Sequence, residues 1–371
     1  MIVDDSILRS EERAGFRLRQ LYRSHGYTPF RMSKFEEYDL YVRNKNFLVS
    51  DNVITFTDTS GRLMALKPDV TLSIVKNTRD DPQTVSKLYY HENVYRISEK
   101  SRTFREISQV GLECLGAVDL WCKAEVLTLA AESLLAVSPD YILDVSHLGI
   151  LSAAVEAAGL SEEGAQKVFQ YAGEKNLHDI DKTLEEEGLP TEKGGLLKAL
   201  ITLKSTPDEA VSALASLFAN TPAAPLVAEF SDLIALLPKE RLRVDFSVVN
   251  DMNYYSGLVF RGFVNGIPTG ILSGGEYSRL MRKMGKKSDA LGFAVYLDLL
   301  EELAAPPADG GADAVILYDD SSSLPLLFSL AEKLVREGRR VETMRALPDG
   351  MPAKTLFRVG KEQVVTIENH A

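Results

Sequence analysis

A few residues of this 371-residue chain combine types and settings that could bind a charged ligand. Two carboxylates, Asp69 and Glu113, two arginines, Arg96 and Arg105, and the tyrosines Tyr254, Tyr255 and Tyr277 stand in or beside strand-like segments. Carboxylates suit cations and N–H donors, and arginines suit phosphate and carboxylate oxygens through a planar fork of donors. Taken singly, each has a plainer reading. Asp69 follows Pro68 and precedes a helix opening near Thr71, where it would cap. Glu113 in an alternating strand reads as a surface acid, the tyrosines as core or sheet residues, and both arginines as surface ion-pairing groups. Gly274-Gly275 reads as a turn. His91, His147 and His178 read as structural. With five scattered histidines and no CxxC pairing of Cys114 and Cys122, neither a metal site nor a structural disulfide is expected.

The elements that must position these groups follow from periodicity. Leu8, Leu18, Leu21 and Tyr22 recur at helical spacing before Gly26. A hairpin is expected from Val53 to Leu66, a helix from Thr71 to Lys76, and two long antiparallel strands over 87–97 and 104–116, joined by the polar stretch 98–103. A helix over 119–137 and a strand over 141–145 follow. Residues 150–236 read as helices only, and a strand resumes over 242–249. Residues 253–300 read as a β-hairpin, the Gly-Gly turn and a final amphipathic helix. After the linker AAPPADGG, a small α/β module is expected: strands over 314–318, 341–344, 355–359 and 364–367, with a helix over 324–336.

Hydrophobic residues make up 45% and charged residues 26% of the chain, as in a soluble globular protein, and no apolar run reaches the roughly 18 residues a membrane span needs. The N-terminus MIVDDSILRSEERAG has no signal-peptide pattern, so a cytoplasmic location is expected. A net charge of -11 argues against nucleic acid as the main partner.

Several separated segments, in order, resemble motifs of the class II aminoacyl-tRNA synthetases, and among them the histidyl enzyme. GRLMALKPDVT resembles the hairpin and R-P-E-x-T element, and KLYYHENVYR with FREISQVGLECLG resembles motif 2. NYYSGLVF and SGGEYSRL resemble the two histidine-specific stretches, and ALGFAVYLDLL resembles motif 3. The resemblance spans nearly the whole chain. It implies an α+β fold, an antiparallel sheet flanked by helices. Residues 1–150 and 237–303 would form the synthetase-like core, 151–236 a helical insertion, 304–311 a linker, and 312–371 a truncated anticodon-binding-like α/β module.

By the same resemblance, Asp69, Thr71 and Gln109 would hold an α-ammonium group, Glu113 and Tyr255 would hydrogen-bond an imidazole ring, and Tyr254 and Tyr277 would line the pocket. Asp69 stands where the synthetase has glutamate. Arg96 matches the motif 2 arginine, but the motif 3 arginine position is Leu299 and the histidine-specific arginine position is Asn250. Ser98 replaces a motif 2 acid, and Tyr296 replaces a motif 3 glycine, so that its ring should encroach on the nucleotide site. Each missing cation would cost about 10²- to 10³-fold by analogy with other charge-stabilising donors, so adenylation is expected to be lost. Arg96 and Arg105 remain as anion or carboxylate contacts, Arg105 substituting for the cation missing at Asn250. No catalytic residue, metal or cofactor is expected.

Loss of these cations beside a retained amino-acid pocket resembles the HisZ family, the regulatory subunits of ATP phosphoribosyltransferase. That resemblance implies a non-catalytic partner of a short-form catalytic subunit at the first step of histidine biosynthesis, with histidine as feedback effector. A homodimer within a hetero-oligomer is implied as well, although the motif 1 proline position is Ser33. From Ala312 to Ala371 there are eight Lys or Arg and nine Asp or Glu, so tRNA is not expected as a partner. The alternatives are a divergent histidyl-tRNA synthetase and a stand-alone amino-acid- or tRNA-binding paralogue.

Overall fold

The computed structural model describes residues 8–44, 53–97, 102–249, 254–303, 312–348 and 354–367. The chain divides into two compact units, Met1–Leu303 and Ala304–Ala371. Ser98, Asn250, residues 98–101 of the polar stretch and the expected linker lie outside the described residues.

In the first unit, α1 (Ser10–Ser24) turns Ala14, Leu18 and Tyr22 inward at helical spacing. β1 (Thr28–Pro29) leads into a small sheet of β2 (Phe35–Glu37), β3 (Thr55–Thr57) and β4 (Leu63–Leu66), with α2 (Tyr38–Arg43) between β2 and β3. The expected hairpin is β3–β4, its turn held by Asp58 Oδ1, which accepts from the Ser60 and Arg62 N–H groups. After α3 (Thr71–Asn77), β5 (Val85–Ile97) and β6 (Phe104–Gly116) pair antiparallel along their whole length. α4 (Leu120–Val137) opens under an Asp119 cap that accepts from the Cys122 N–H, and β7 (Tyr141–His147) follows.

The next segment holds α5 (Leu148–Ala158), α6 (Glu162–Glu174), α7 (Leu177–Glu186) and α8 (Gly195–Thr202), then α9 (Pro207–Phe218) and α10 (Ala224–Ala235). It is not purely helical as expected, because β8 (Lys204–Ser205) pairs antiparallel with β9 (Leu242–Asp245). β9 is also shorter than the strand expected over 242–249: Asp245 Oδ1 accepts from the Ser247 N–H and hydroxyl and turns the chain away.

The chain then forms the hairpin β10 (Leu258–Val264) and β11 (Leu272–Glu276), followed by α11 (Ser278–Lys283) and β12 (Asp289–Tyr296). Two expectations are corrected here. Gly274-Gly275 lies inside β11 rather than in a turn: a Cβ on Gly275 would come 2.6 Å from the Leu258 carbonyl oxygen and 2.7 Å from the Tyr255 ring. The segment expected as an amphipathic helix is β12 followed by a 3-10 turn, Asp298–Leu303. Apolar runs buried on both faces lack the periodicity that separates strand from helix, and β12 lies between β6 and β11 mid-sheet.

The main sheet has the order β1-β5-β6-β12-β11-β10-β7-β9-β8, parallel only at β1–β5 and β7–β9. One face carries Val110, Leu112, Phe260 and Phe293 into a core with α1 and α4. Tyr22 and Ser133 join those two helices through hydroxyls 2.9 Å apart. The other face meets α3 and α11 through Leu72, Ile74, Tyr254, Tyr277 and Leu280. Cys114 and Cys122 are buried, free thiols. Among the described residues no helix is long and apolar enough to cross a membrane.

The second unit has β13 (Ala314–Leu317), α12 (Leu324–Arg336), β14 (Val341–Met344), β15 (Leu356–Val359) and β16 (Val364–Ile367). Its sheet order is β14-β13-β15-β16, and Ala314, Ile316, Leu334 and Val359 form a core of its own.

Candidate functional site

The sheet face opposite α1 and α4 holds a cavity of about 420 Å³. Register explains why a hollow forms mid-sheet. Paired residues on antiparallel strands share a face. Glu113 faces Gly292, which faces Gly275; two residues along, Gly111 faces Ala294, which faces Ser273. These rows of missing or small side chains leave a floor on which larger groups from the edges converge. Gly292 is required by close approach: a Cβ there would lie 1.8 Å from Glu113 Oε2 and 2.5 Å from the Leu112 carbonyl oxygen.

The nine candidate binding residues all line this one cavity: Asp69, Thr71, Gln109, Glu113, Tyr254, Tyr255 and Tyr277, with Arg96 and Arg105. Glu113 is buried rather than a surface acid, at 2% exposure. Thr71 Oγ1 donates to its Oε1 at 2.9 Å and the Tyr277 hydroxyl to its Oε2 at 2.7 Å. Burial nevertheless outweighs both bonds and pushes its carboxyl up to about 8, with Asp69 adding like charge. Each Glu113 oxygen keeps a lone pair for a ligand donor.

Asp69 has the capping role that its place before α3 suggested, Oδ1 accepting from the Leu72 N–H at 2.9 Å. Burial raises its carboxyl, opposed by the Leu72 N–H and by the positive charge of Arg96. Tyr254 stacks edge-on with Tyr255, ring centroids 4.7 Å apart, and is hydrogen-bonded to Thr71. The Tyr255 hydroxyl is bonded to Ser273.

The cavity therefore has two ends. Glu113, Thr71, Tyr254 and Tyr277 make an aromatic, acid-lined end fit for a ring N–H. The other end carries arginines. Arg96 Nε donates to the Pro68 carbonyl at 3.0 Å and the same side chain bonds the Tyr296 hydroxyl. Arg105 Nη2 stands 3.9 Å from Asp298 Oδ2. Tyr296 and Leu299, read from sequence as replacements for a glycine and an arginine, line this end. Sequence reasoning missed Tyr90, Ser273 and Arg261, which also line the cavity. Alternation along β10, with Val259, Arg261 and Phe263 on one face, was the signal available for Arg261.

A largely antiparallel sheet with helices packed on both faces and such a hollow beside α3 and α11 marks this chain as a class II aminoacyl-tRNA synthetase-like protein. The sequence pattern described as histidyl-tRNA synthetase matches residues 4–300, and the chain belongs to that family. It is 26% identical over 335 residues to the ATP phosphoribosyltransferase regulatory subunit of Oceanobacillus iheyensis, covering 87% of this chain and 82% of that protein. A crystal structure described as an ATP phosphoribosyltransferase regulatory subunit/histidyl-tRNA synthetase from Bacillus halodurans shares the fold with a TM-score of 0.74 at 23% identity, covering 90% of this chain and 88% of that one. A chain of the ATP phosphoribosyl transferase HisG:HisZ complex from Thermotoga maritima does so with a TM-score of 0.61 at 18% identity, covering 76% and 96%.

Proposed function

We propose that this chain is the non-catalytic regulatory subunit of ATP phosphoribosyltransferase, working with a short-form catalytic subunit at the first step of histidine biosynthesis and conferring feedback control by histidine. The observation that carries this reading is the asymmetry of the cavity. The end suited to an amino acid keeps Asp69, Thr71, Gln109 and Glu113, whereas the end suited to a nucleotide holds the Tyr296 ring and the uncharged Leu299. Adenylation needs several cations on phosphate oxygens, so aminoacylation by this chain is absent. The names of its relatives and the Thermotoga maritima complex support the partnership.

In this reading the histidine ammonium meets Asp69 and Gln109, and its ring meets Glu113. Occupancy biases a two-state arrangement of the hetero-oligomer, coupling this pocket to the catalytic subunit. The subunit is a homodimer within that assembly, through the small sheet. Phe35 and Phe56 pack edge-on there, 5.2 Å between centroids, and both remain exposed on the face they share with Met64.

The test is phosphoribosyl-ATP formation by a short-form catalytic subunit, with and without this chain, across a histidine titration. Activation that histidine reverses is expected, with the reversal weakened by Glu113→Ala. Histidine-dependent pyrophosphate exchange by this chain alone would instead establish a working synthetase.

A further inference from the structure

Three arginines reach the cavity, and two are engaged. Arg96 is held by the Pro68 carbonyl and the Tyr296 hydroxyl, and Arg105 faces Asp298. Arg261, in the middle of β10, has no carboxylate partner among the described residues. The acid opposite it on β7, Asp144, is taken by Arg243 through two bonds of 2.7 and 2.9 Å. Register puts Arg261 on the cavity face: it pairs with Ser273, which pairs with Ala294.

Its path is fixed from two sides. The stem crosses Gly270, where a Cβ would come 2.5 Å from Nε and 2.9 Å from Cγ, and the guanidinium carbon lies 5.5 Å from the centroid of Phe263. Arg261 lines the same cavity as Asp69, Arg96 and Tyr296, and its charge reaches the Tyr296 hydroxyl. An α-amino acid carries ammonium and carboxylate on one carbon. The acid for the first and the cation for the second must therefore line one cavity, as Asp69 and Arg261 do here.

We propose that Arg261 binds the α-carboxylate of the amino-acid ligand and sets the preference for ligands that carry one; the proposal rests on the amino-acid reading of the cavity given above. Arg105 is the poorer candidate, with its side chain 58% exposed and paired to Asp298. A forked bond from guanidinium to carboxylate should be worth about 10- to 100-fold in affinity, the usual scale for hydrogen bonds to charged groups.

The experiment is calorimetric titration of the full chain with L-histidine and with L-histidinol, which keeps ring and ammonium but replaces the carboxylate with an alcohol. The unaltered protein is expected to prefer histidine. Arg261→Met should lower histidine affinity about 10- to 100-fold and leave histidinol nearly unchanged, erasing the preference. Arg261→Lys, which keeps charge and stem, should retain part of it and carries the comparison if the methionine variant misfolds. A preference left intact in these variants, or erased by Arg105→Met instead, overturns the proposal while leaving the amino-acid pocket standing. An unaltered protein that binds neither compound removes the amino-acid reading and this inference with it.

Discussion

Glu113 shows how one side chain is set by its neighbours rather than by its own sequence context. Alternation along β6 suggested a surface acid, but the sheet is covered on both faces and Gly292 opens room beneath the carboxylate. Burial raises this carboxyl to about 8 from an ordinary value of 4.5, so the folded chain holds a proton that the unfolded chain releases. The contribution is fully present below the ordinary value and is lost as pH rises through the folded one. Without ligand, the thermal midpoint should fall between about pH 5 and pH 8.5, and Glu113→Gln should flatten that fall. A variant whose midpoint tracks the unaltered protein across this range would refute the assignment. Gly292→Ala forces a methyl against both Glu113 and the Leu112 carbonyl. It is expected to destabilise the fold by about 1–3 kcal/mol and to abolish histidine binding, measured by denaturant unfolding and calorimetry.

Among the elements, the small sheet carries its own prediction. If the exposed face of β2 and β3 that carries Phe35 and Phe56 joins two copies, Phe35→Glu with Phe56→Glu should sediment as a monomer where the unaltered chain sediments as a dimer. A monomeric unaltered chain would exclude the homodimer. What could be read from sequence divides at the same scale. The β5–β6 ribbon, α1, α4 and the elements of the second unit were legible, since local spacing and Gly or Pro punctuation marked them. β12 and Gly274-Gly275 were not. Their character depends on Phe260, Phe293 and Tyr255 packing across other strands, contacts that no local window contains. The cavity residues were found through resemblance to the synthetase motifs; Arg261 belongs to none of the contacts that resemblance implied, and was missed.

At the scale of the molecule, every cavity-lining residue belongs to Met1–Leu303, while Ala304–Ala371 has a separate sheet and core. A chain ending at Leu303 should therefore melt cooperatively in calorimetry and bind histidine as tightly as the full protein. Lost binding in a folded truncation would show that the second unit contributes to the pocket.

The two residues of β8 have a reach beyond their length, since they are the last rung of the main sheet. Loss of the segment between α5 and α10 would leave β9 with bare N–H and C=O groups, a template on which other chains could zip up. Proteolytic nicking within this segment should announce itself first as turbidity, before any loss of ligand affinity. Shortened relatives without this segment would need a charge, a proline or a borrowed strand along that margin to stay dispersed.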